Sequence, residues 1–270
     1  MKKLAFILPF LFLFTPLFAQ AALTDNILSY WKFDENTGTT AADATGDGYT
    51  ATLHAGAGWG SPFLGVSSLS LVSASSQYAS FSSVNITSNF TFSAWFKTSY
   101  SGAQQAIASD SGAANSLQMK VQTTGALQFF YNISGSNVTI NSSGVSTANN
   151  GSWHNILVTC VNHGACTLYF DGTNVGSASI AGSGLTTAVT FGVIGELSAG
   201  ATYFNGLIDE VGIWNRALSS TEITQLYNSG AGLQYPFATA VATPAPARKM
   251  RLFEGFKLKL LSDKMILYQQ

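Results

Sequence analysis

The turn Asp43–Gly48, with the sequence DATGDG, concentrates hard oxygen ligands in a short stretch. Asp43 and Asp47 supply carboxylates, and the two glycines permit a tight turn that exposes backbone carbonyl groups. Calcium prefers oxygen ligands of this kind, held on flexible turns. At this point two interpretations are open: a calcium site, or an Asx turn in which Asp43 bonds only to nearby backbone.

Two cysteines, Cys160 and Cys166, are separated by a five-residue stretch that carries His163. A hairpin turn centred on His163 places the two cysteines opposite each other on one face of a strand pair. In an oxidising compartment they would form a disulfide, which we predict. The alternative is a pair of buried free thiols, and the spacing matches no standard zinc site.

Of the five tryptophans, Trp95 and Trp153 are the candidates for stacking against a ligand. The stretch Asn89–Lys97 alternates as a strand, with phenylalanines on one face and Trp95 on the other. Trp153 falls on the corresponding face of its own strand. We therefore predict that both bind ligand; the alternative is that they pack in the second sheet or under loops.

Composition and charge narrow the class of protein. Only 9% of the 270 residues are charged, and the polar surface must come from uncharged side chains. Residues 22–247 carry four basic and eleven acidic side chains, a net charge of −7, whereas residues 248–270 carry a net +4. An acidic body argues against a nucleic-acid partner.

Residues 1–21 have the pattern of a secretory signal peptide. Lys2 and Lys3 precede an apolar stretch over residues 4–17, and Ala19-Gln20-Ala21 forms a small-x-small cleavage site. An uncleaved anchor is the alternative. We expect a secreted or cell-surface protein with no membrane span after cleavage.

Eleven strand-like stretches recur between residues 27 and 215, separated by Gly, Ser, Asn and Asp clusters. Their alternation predicts an all-β, two-sheet antiparallel sandwich. The last stretch, Gly206–Asn215, leads into a short helix: Ser219 and Glu222 have the spacing of a capping box, and Gly230 is expected to be left-handed at its end. Alternation in this strand places Asp209 and Glu210 on opposite faces.

Four segments in the same order resemble the laminin-G-like jelly roll of the concanavalin A-like lectin and glucanase superfamily. They are SYWKFDEN followed by ADATGDG (29–36 and 42–48), FSAWFK (92–97), the hairpin WHNILVTCVNHGACTLYFDG (153–172) and GLIDEVGIWNRALSSTEI (206–223). The resemblance covers residues 27 to 230. It implies a jelly roll with one short C-terminal helix after the last strand.

The resemblance also implies a calcium site that joins the first turn to the last strand. Asp209 matches the strand ligand, and Asp34 and Asp43 match the N-terminal side. Calcium is the one cofactor that the sequence predicts. The alternative is that backbone N–H groups satisfy Asp209, because a buried carboxylate needs some partner.

The sequence contains none of the catalytic motifs that we looked for. The E-x-D-x-x-E strand motif of the family-16 glucanases is absent, as are G-x-S-x-G, H-E-x-x-H and a phosphate loop. We therefore predict that the protein is not an enzyme.

The sequence divides into a signal peptide (1–21), a jelly-roll domain (22–237), a Pro-containing linker (238–247) and a basic hairpin or tail (248–270). We predict a non-catalytic binding module for carbohydrate or an extracellular protein ligand, with a structural calcium site. One alternative is a structural or adhesive surface protein anchored by the basic tail. The tail would dock on the acidic body, pair with an exposed edge strand of another chain or be recognised by a surface-sorting apparatus, and a disordered terminus is the alternative. The other is a divergent glycoside hydrolase.

Overall fold

The computed structural model describes residues 22–86, 88–110, 117–133, 136–180, 189–197, 200, 202–237, 256–261 and 264–269. The predicted signal peptide and linker lie outside these residues. The chain divides into two compact units, Met1–Ala238 and Thr239–Gln270.

The first unit contains sixteen strands and one α-helix within its described residues. The helix, α1, is Ser220–Tyr227, and short 3-10 helices cover Ser73–Ser75 and Asn228–Gly230. The strands are β1 Ile27–Trp31, β2 Thr40–Ala41, β3 Ala51–His54, β4 Gly58–Gly60, β5 Ser68–Leu71, β6 Tyr78–Ile86, β7 Phe90–Lys97, β8 Gln105–Ser109, β9 Leu117–Val121, β10 Leu127–Ile133, β11 Ser136–Asn141, β12 Trp153–Cys160, β13 Ala165–Phe170, β14 Thr173–Ser179, β15 Val189–Ile194 and β16 Gly206–Trp214.

These strands form two eight-stranded antiparallel sheets. Sheet A has the order β14-β13-β12-β7-β16-β5-β4, with β1 also paired to β16, and sheet B has the order β11-β10-β9-β8-β15-β6-β3-β2. Several neighbours in each order are far apart in sequence, which is the connectivity of a jelly roll. The prediction of an all-β, two-sheet antiparallel jelly-roll sandwich is confirmed.

The core lies between the two sheets and is rich in aromatic rings. Phe90, Phe92 and Phe96 of β7 point into it, as their alternation predicts. Phe92 of sheet A stacks on Phe191 of sheet B with ring centroids 5.2 Å apart. Burying one such ring contributes about 1.5–3 kcal/mol. These contacts join the two layers.

A smaller apolar cluster lies on the outer face of sheet A, beneath α1. Leu218, Ile223 and Leu226 pack there against Tyr30 and Trp214. Ile223 and Leu226 are three residues apart within the helix, so they fix which face of α1 lies on the sheet.

The predicted capping box at the start of α1 is confirmed. Ser219 Oγ accepts from the Glu222 N–H at 3.3 Å, and the Glu222 carboxylate accepts from the Ser219 N–H at 2.8 Å. At the other end, Gly230 is left-handed as predicted, with φ of +90°. The left-handed stretch starts two residues earlier, however, at Asn228, which is the C-cap.

A β-bulge in β16 contradicts the predicted facing of Asp209 and Glu210. Asp209 lies opposite Trp95 and Gly212 lies opposite Ser93, so β16 holds one more residue than β7 over this stretch. Glu210 lies at the bulge and has a positive φ of +50°. Both carboxyl groups therefore lie on the outer face of sheet A, because simple alternation ends at a bulge.

Five strands have no counterpart in the sequence prediction: β2, β3, β4, β8 and β14. The first three have two to four residues each, too few to show alternation. All five residues of β8 are buried, and none of the seven residues of β14 is, so neither strand shows the alternating pattern.

The predicted disulfide is confirmed, and it closes the β12–β13 hairpin. Cys160 and Cys166 are opposite each other in register and are joined through sulfur. His163 lies in the turn with a positive φ of 58°. A cross-link of this kind stabilises the hairpin chiefly by restricting the unfolded chain.

The second unit contains one antiparallel pair, β17 Phe256–Leu261 and β18 Lys264–Gln269, with Leu261 opposite Lys264. Elsewhere in that unit the residues 239–255 lie outside the described part. Across all described residues, no helix combines the length and the hydropathy needed to cross a membrane.

Candidate functional site

Asp43 organises the first turn of the domain. Its Oδ1 accepts from the backbone N–H of Tyr30 and of Thr45, both at 3.1 Å, and from the Thr45 hydroxyl at 2.8 Å. Its Oδ2 accepts from the Tyr49 N–H at 3.3 Å. These bonds form an Asx turn that ties the turn to β1.

Asp209 is fully buried and is surrounded by backbone donors. Its Oδ2 accepts from the N–H groups of Phe63 at 2.8 Å and Leu64 at 3.3 Å, and its Oδ1 accepts from the Glu210 N–H at 3.0 Å. Asp34 accepts from the Val66 N–H of the same loop. The two predicted metal ligands therefore hold the loop 61–66 against sheet A.

Glu210 joins β16 to the first strand and to the end of the domain. Its carboxylate accepts from the Tyr30 hydroxyl at 2.6 Å and from Gln234 Nε2 at 2.7 Å. The same Gln234 amide donates to Asp34 Oδ2 at 3.0 Å. Gln234 thus links two carboxylates that are distant in sequence.

Burial raises the pKa of both adjacent acids in the bulge. The pKa of Asp209 rises to about 8 through burial and then the charge of Glu210, although three backbone N–H groups oppose the rise. The pKa of Glu210 rises to about 7, also mainly through burial, while hydrogen bonds from Tyr30 and Gln234 oppose it. The two groups therefore titrate near neutral pH.

The predicted calcium ligands, Asp34, Asp43 and Asp209, hold loops through N–H donors in this arrangement. The described residues contain no group of three His, Cys, Asp or Glu side chains that could hold a metal ion. Calcium would have to displace the backbone donors that Asp43 and Asp209 already bind. The calcium site stays a prediction.

The two predicted ligand-binding tryptophans differ in access. Trp95 lies on the face away from the core, as predicted, but it is only 3% exposed. Its ring stacks on Phe63 of the 61–66 loop, with ring centroids 3.8 Å apart, and on Tyr227 of α1, with ring centroids 5.7 Å apart. Trp153 is half-buried beside Phe63, at 5.6 Å. Of the two, Trp153 is the ring that a ligand could reach.

A groove of about 560 Å³ opens where three loops meet at one end of the sandwich. Its walls are neutral hydroxyl, amide and methyl groups with two tyrosine rings. We call it the tyrosine groove, and it is lined by Ser73, Ala74, Tyr100, Ala103, Gln104, Thr202, Tyr203 and Asn205.

Asn205 is held rigidly at the base of this groove. Its N–H donates to Gln105 Oε1 at 3.0 Å, and its carbonyl accepts from the Thr98 hydroxyl at 2.7 Å. The next residue, Gly206, has φ of +147°, and a Cβ there would collide with the Lys97 carbonyl oxygen. Only glycine allows the backbone at position 206 to come this close to the Lys97 carbonyl, and this close contact fixes the neighbouring backbone of Asn205.

The side chain of Asn205 then presents its amide to the groove. Its Oδ1 accepts from the Ser73 N–H at 3.2 Å. Within the described part of the chain, its Nδ2 makes no hydrogen bond, so two donors are left for a ligand.

Tyr203 forms the opposite wall through a second set of contacts. Its ring lies 6.5 Å from that of Tyr78, which stacks on His54 at 4.5 Å. The Tyr203 hydroxyl hydrogen-bonds to Glu196, whose pKa is raised by burial. These contacts fix the ring without covering it, since Tyr203 remains partly exposed.

A second depression of about 220 Å³ meets the tyrosine groove at Asn205. It is lined by Lys97, Thr98, Ser99, Gly151, Asn205, Gly206 and Leu207. Trp153 lies opposite Lys97 in the β7–β12 register. The predicted Trp153 therefore lies beside this second depression, which shares Asn205 with the tyrosine groove.

Sequence reasoning missed the tyrosine groove. Tyr100 and Tyr203 lie in loops, where alternation assigns no face. One signal was available: each tyrosine is flanked by Gly, Ser or Asn in YSGAQ and ATYFNG, and aromatic residues on small-residue loops are typical of exposed contact surfaces.

Family membership rests on a sequence profile. The laminin G profile described as the concanavalin A-like lectin/glucanases superfamily matches residues 73–224. The chain belongs to this superfamily. No curated protein matches the chain. The superfamily includes both lectins and glucanases, so membership alone does not choose between binding and catalysis.

Two solved structures similar to this superfamily member are a toxin binding domain and a domain of an extracellular arabinanase. The binding domain of Paraclostridial Mosquitocidal Protein 1 is 19% identical, with a TM-score of 0.59, over 76% of this chain and 52% of that one. Domain 4 of an extracellular arabinanase from Geobacillus stearothermophilus, solved with arabinotriose, is 16% identical, with a TM-score of 0.58, over 77% of this chain and 98% of that domain.

A third similar structure is of botulinum neurotoxin type C, whose cell entry depends on interaction with two ganglioside molecules. It is 16% identical, with a TM-score of 0.60, over 76% of this chain and 51% of that one. The chain thus spans about half the length of the toxin domains it matches. At these identities the likeness shows the fold.

Proposed function

We propose that this protein is a secreted or cell-surface, non-catalytic binding module that takes a neutral oligosaccharide in the tyrosine groove. The observation that carries the proposal is the lining of that groove, which combines two tyrosine rings with hydroxyl and amide groups and has no charged side chain. Sugar rings offer apolar C–H faces and many hydroxyl groups, and such a lining matches both.

The similar structures support a binding role of this kind. The arabinanase domain was solved with arabinotriose, and neurotoxin type C depends on gangliosides. Another neurotoxin binding domain of the same fold was solved with rat synaptotagmin II, so a protein ligand is the second candidate. The neutral groove favours the sugar, because its lining offers no charged side chain of the kind that often anchors a protein interface.

The proposal is tested by a screen of the purified protein on an array of neutral glycans, followed by calorimetry with the best oligosaccharide. Tyr203→Ala and Gln104→Ala should each weaken that binding about tenfold, as the loss of one stacking or hydrogen-bonding contact predicts. Gln225→Ala is the matched control, since Gln225 lines a separate shallow depression on α1. Binding that survives both groove variants would place the ligand elsewhere.

We also propose a structural calcium ion near Asp34, Asp43 and Asp209, supported by the resemblance and by the acidic turns. Because calcium would bind the folded state, its addition should raise the melting temperature, and Asp209→Asn should abolish the increment. An unchanged melting curve after exhaustive exchange with chelator would refute this part of the proposal without affecting the groove.

The adhesive alternative rests on the second unit. Its 23 C-terminal residues carry a net +4 and include the β17–β18 pair. A two-stranded hairpin is marginal in water on its own, which favours a partner for it. Mislocalisation of protein truncated after Ala247 would support this role.

A further inference from the structure

The outer face of β9, β10 and β11 in sheet B carries amide groups where most exposed sheets carry mixed charges. In register, Lys120 lies opposite Gln128, and Gln128 lies opposite Asn141. Two residues further along these strands on the same face, Phe130 lies opposite Gln118 on one side and Thr139 on the other. We call this two-row arrangement the amide surface; its six residues are Gln118, Lys120, Gln128, Phe130, Thr139 and Asn141.

Lys120 is the unusual member of the amide surface. It points away from the core, yet it is only 9% exposed. Its ammonium group donates to the neutral Gln118 Oε1 at 2.8 Å. Among the described residues no acidic side chain forms an ion pair with it. Lysine is rarely buried to this extent unless it is paired.

The rest of the sandwich offers Lys120 no obvious counter-ion. Between residues 22 and 237, the segments outside the described part contain no Asp or Glu in their sequence. Burial lowers the pKa of Lys120, and no nearby charge contributes. A largely buried cation without an acidic partner is costly, and an anion beside it would lower that cost.

The amides beside Lys120 are already oriented. Gln128 Nε2 donates to Asn141 Oδ1 at 2.7 Å. Because each amide has one acceptor oxygen and two N–H donors, this bond leaves the Gln128 oxygen and the Asn141 N–H groups available. Phe130 is half-buried in the next row and adds an apolar ring. Such a set matches the hydroxyl groups and the C–H face of a sugar.

We propose that the amide surface is a second binding site, which takes an oligosaccharide bearing a carboxylate, with Lys120 pairing the carboxylate and the Gln128 and Asn141 amides binding the ring hydroxyls. The proposal does not depend on the tyrosine groove, with which the amide surface shares no residue.

A uronate fits better than a sulfated chain. The surface offers one cation, whereas residues 22–247 carry a net −7, and this field repels densely charged polymers. One carboxylate on an otherwise neutral, hydroxyl-rich ring needs one cation and several amides, which is the composition observed.

The test is isothermal titration of the full chain with two otherwise neutral oligosaccharides that each carry a single uronate, one galacturonate and one mannuronate, each beside its carboxyl-reduced, neutral form. At least one uronate should bind, and carboxyl reduction should weaken it roughly tenfold to a hundredfold, as the loss of a hydrogen bond to a charged group predicts. Lys120→Met, which keeps the apolar stem, should weaken it equally while leaving the melting temperature unchanged or higher.

Two control variants show whether the uronate binds at the amide surface or elsewhere on the protein. Lys32→Gln removes a cation of the body outside both surfaces and should bind the uronate like the parent protein, and so should Tyr203→Ala. The proposal is overturned if neither uronate binds, if the reduced sugar binds equally well, if Lys120→Met keeps full affinity, or if only heparin binds.

Discussion

At the scale of single residues, Asp209 and Glu210 show what a one-residue bulge does to a strand. The extra residue brings two adjacent carboxyl groups to one buried face. Each then serves a different segment: Asp209 binds the N–H groups of Phe63 and Leu64, and Glu210 binds Tyr30 and Gln234. Buried acids with raised pKa values also occur in glycosidases. Here both groups are occupied by structural hydrogen bonds.

The raised pKa values predict a pH dependence of stability. In the unfolded chain the pKa of each group is about 4, whereas in the folded protein the pKa is raised to about 8 for Asp209 and about 7 for Glu210. Between those values the folded state holds more protons, so the free energy of unfolding falls as pH rises, by at most about 1.4 kcal/mol per pH unit for each proton. Urea unfolding at pH 5, 6, 7 and 8 measures how the free energy of unfolding changes with pH.

Glu210→Gln supplies the control for this prediction. The variant removes one titrating group and the charge that raises the pKa of Asp209. Its stability should therefore change less between pH 5 and pH 8 than that of the parent protein. A parent protein that is equally stable across this range would show that neither acid keeps a raised pKa.

The sequence indicates the candidate residues better than it indicates their surroundings. It identifies Cys160 and Cys166 as a pair because their register follows from a short hairpin. It places Trp95 on the correct face of β7, but its cover comes from Phe63 and Tyr227, which are far away in sequence. Burial by distant loops has no local pattern from which to predict it.

At the scale of elements, α1 is an eight-residue helix, short enough that its ends matter. Ser219→Ala removes the acceptor of the Glu222 N–H, and the loss should lower the free energy of unfolding by about 1 kcal/mol. Ser220→Ala, one residue into the helix and exposed, should have little effect. Chemical denaturation of the two variants compares them, and equal effects would show that the cap contributes nothing.

The elements that were predicted from sequence are those with a strong pattern. The alternation of β7 and the capping box of α1 are local, so the residues themselves specify them. β16 follows its alternation only as far as the bulge, which arises from pairing with β7. β14 has no fully buried residue and forms by pairing with β13. Tertiary pairing of this kind outweighs intrinsic strand preference.

At the scale of the whole molecule, every described side chain of the main core and of the cluster under α1 lies at or before Phe237. Truncation after Ala247 removes none of these described side chains, so it should leave the melting temperature of the body unchanged within about 1 °C. Differential scanning calorimetry of the two forms makes the comparison. A clear decrease on truncation would show instead that the basic tail docks on the body and stabilises it.

The charge distribution of the body is consistent with two separate ligands. The tyrosine groove has no charged lining residue, and Lys120 is the single cation among the six residues of the amide surface. A neutral sugar and an acidic sugar would therefore be selected at different places on the same sandwich.

The most direct test of the central claim is to locate the neutral oligosaccharide on the protein by NMR. Titration with the best neutral glycan from the array should shift the side-chain amide of Asn205 and the ring signals of Tyr100 and Tyr203, while the Gln225 amide stays in place. Shifts confined to residues outside the tyrosine groove, with Asn205 and both tyrosines unmoved at saturation, would contradict the account.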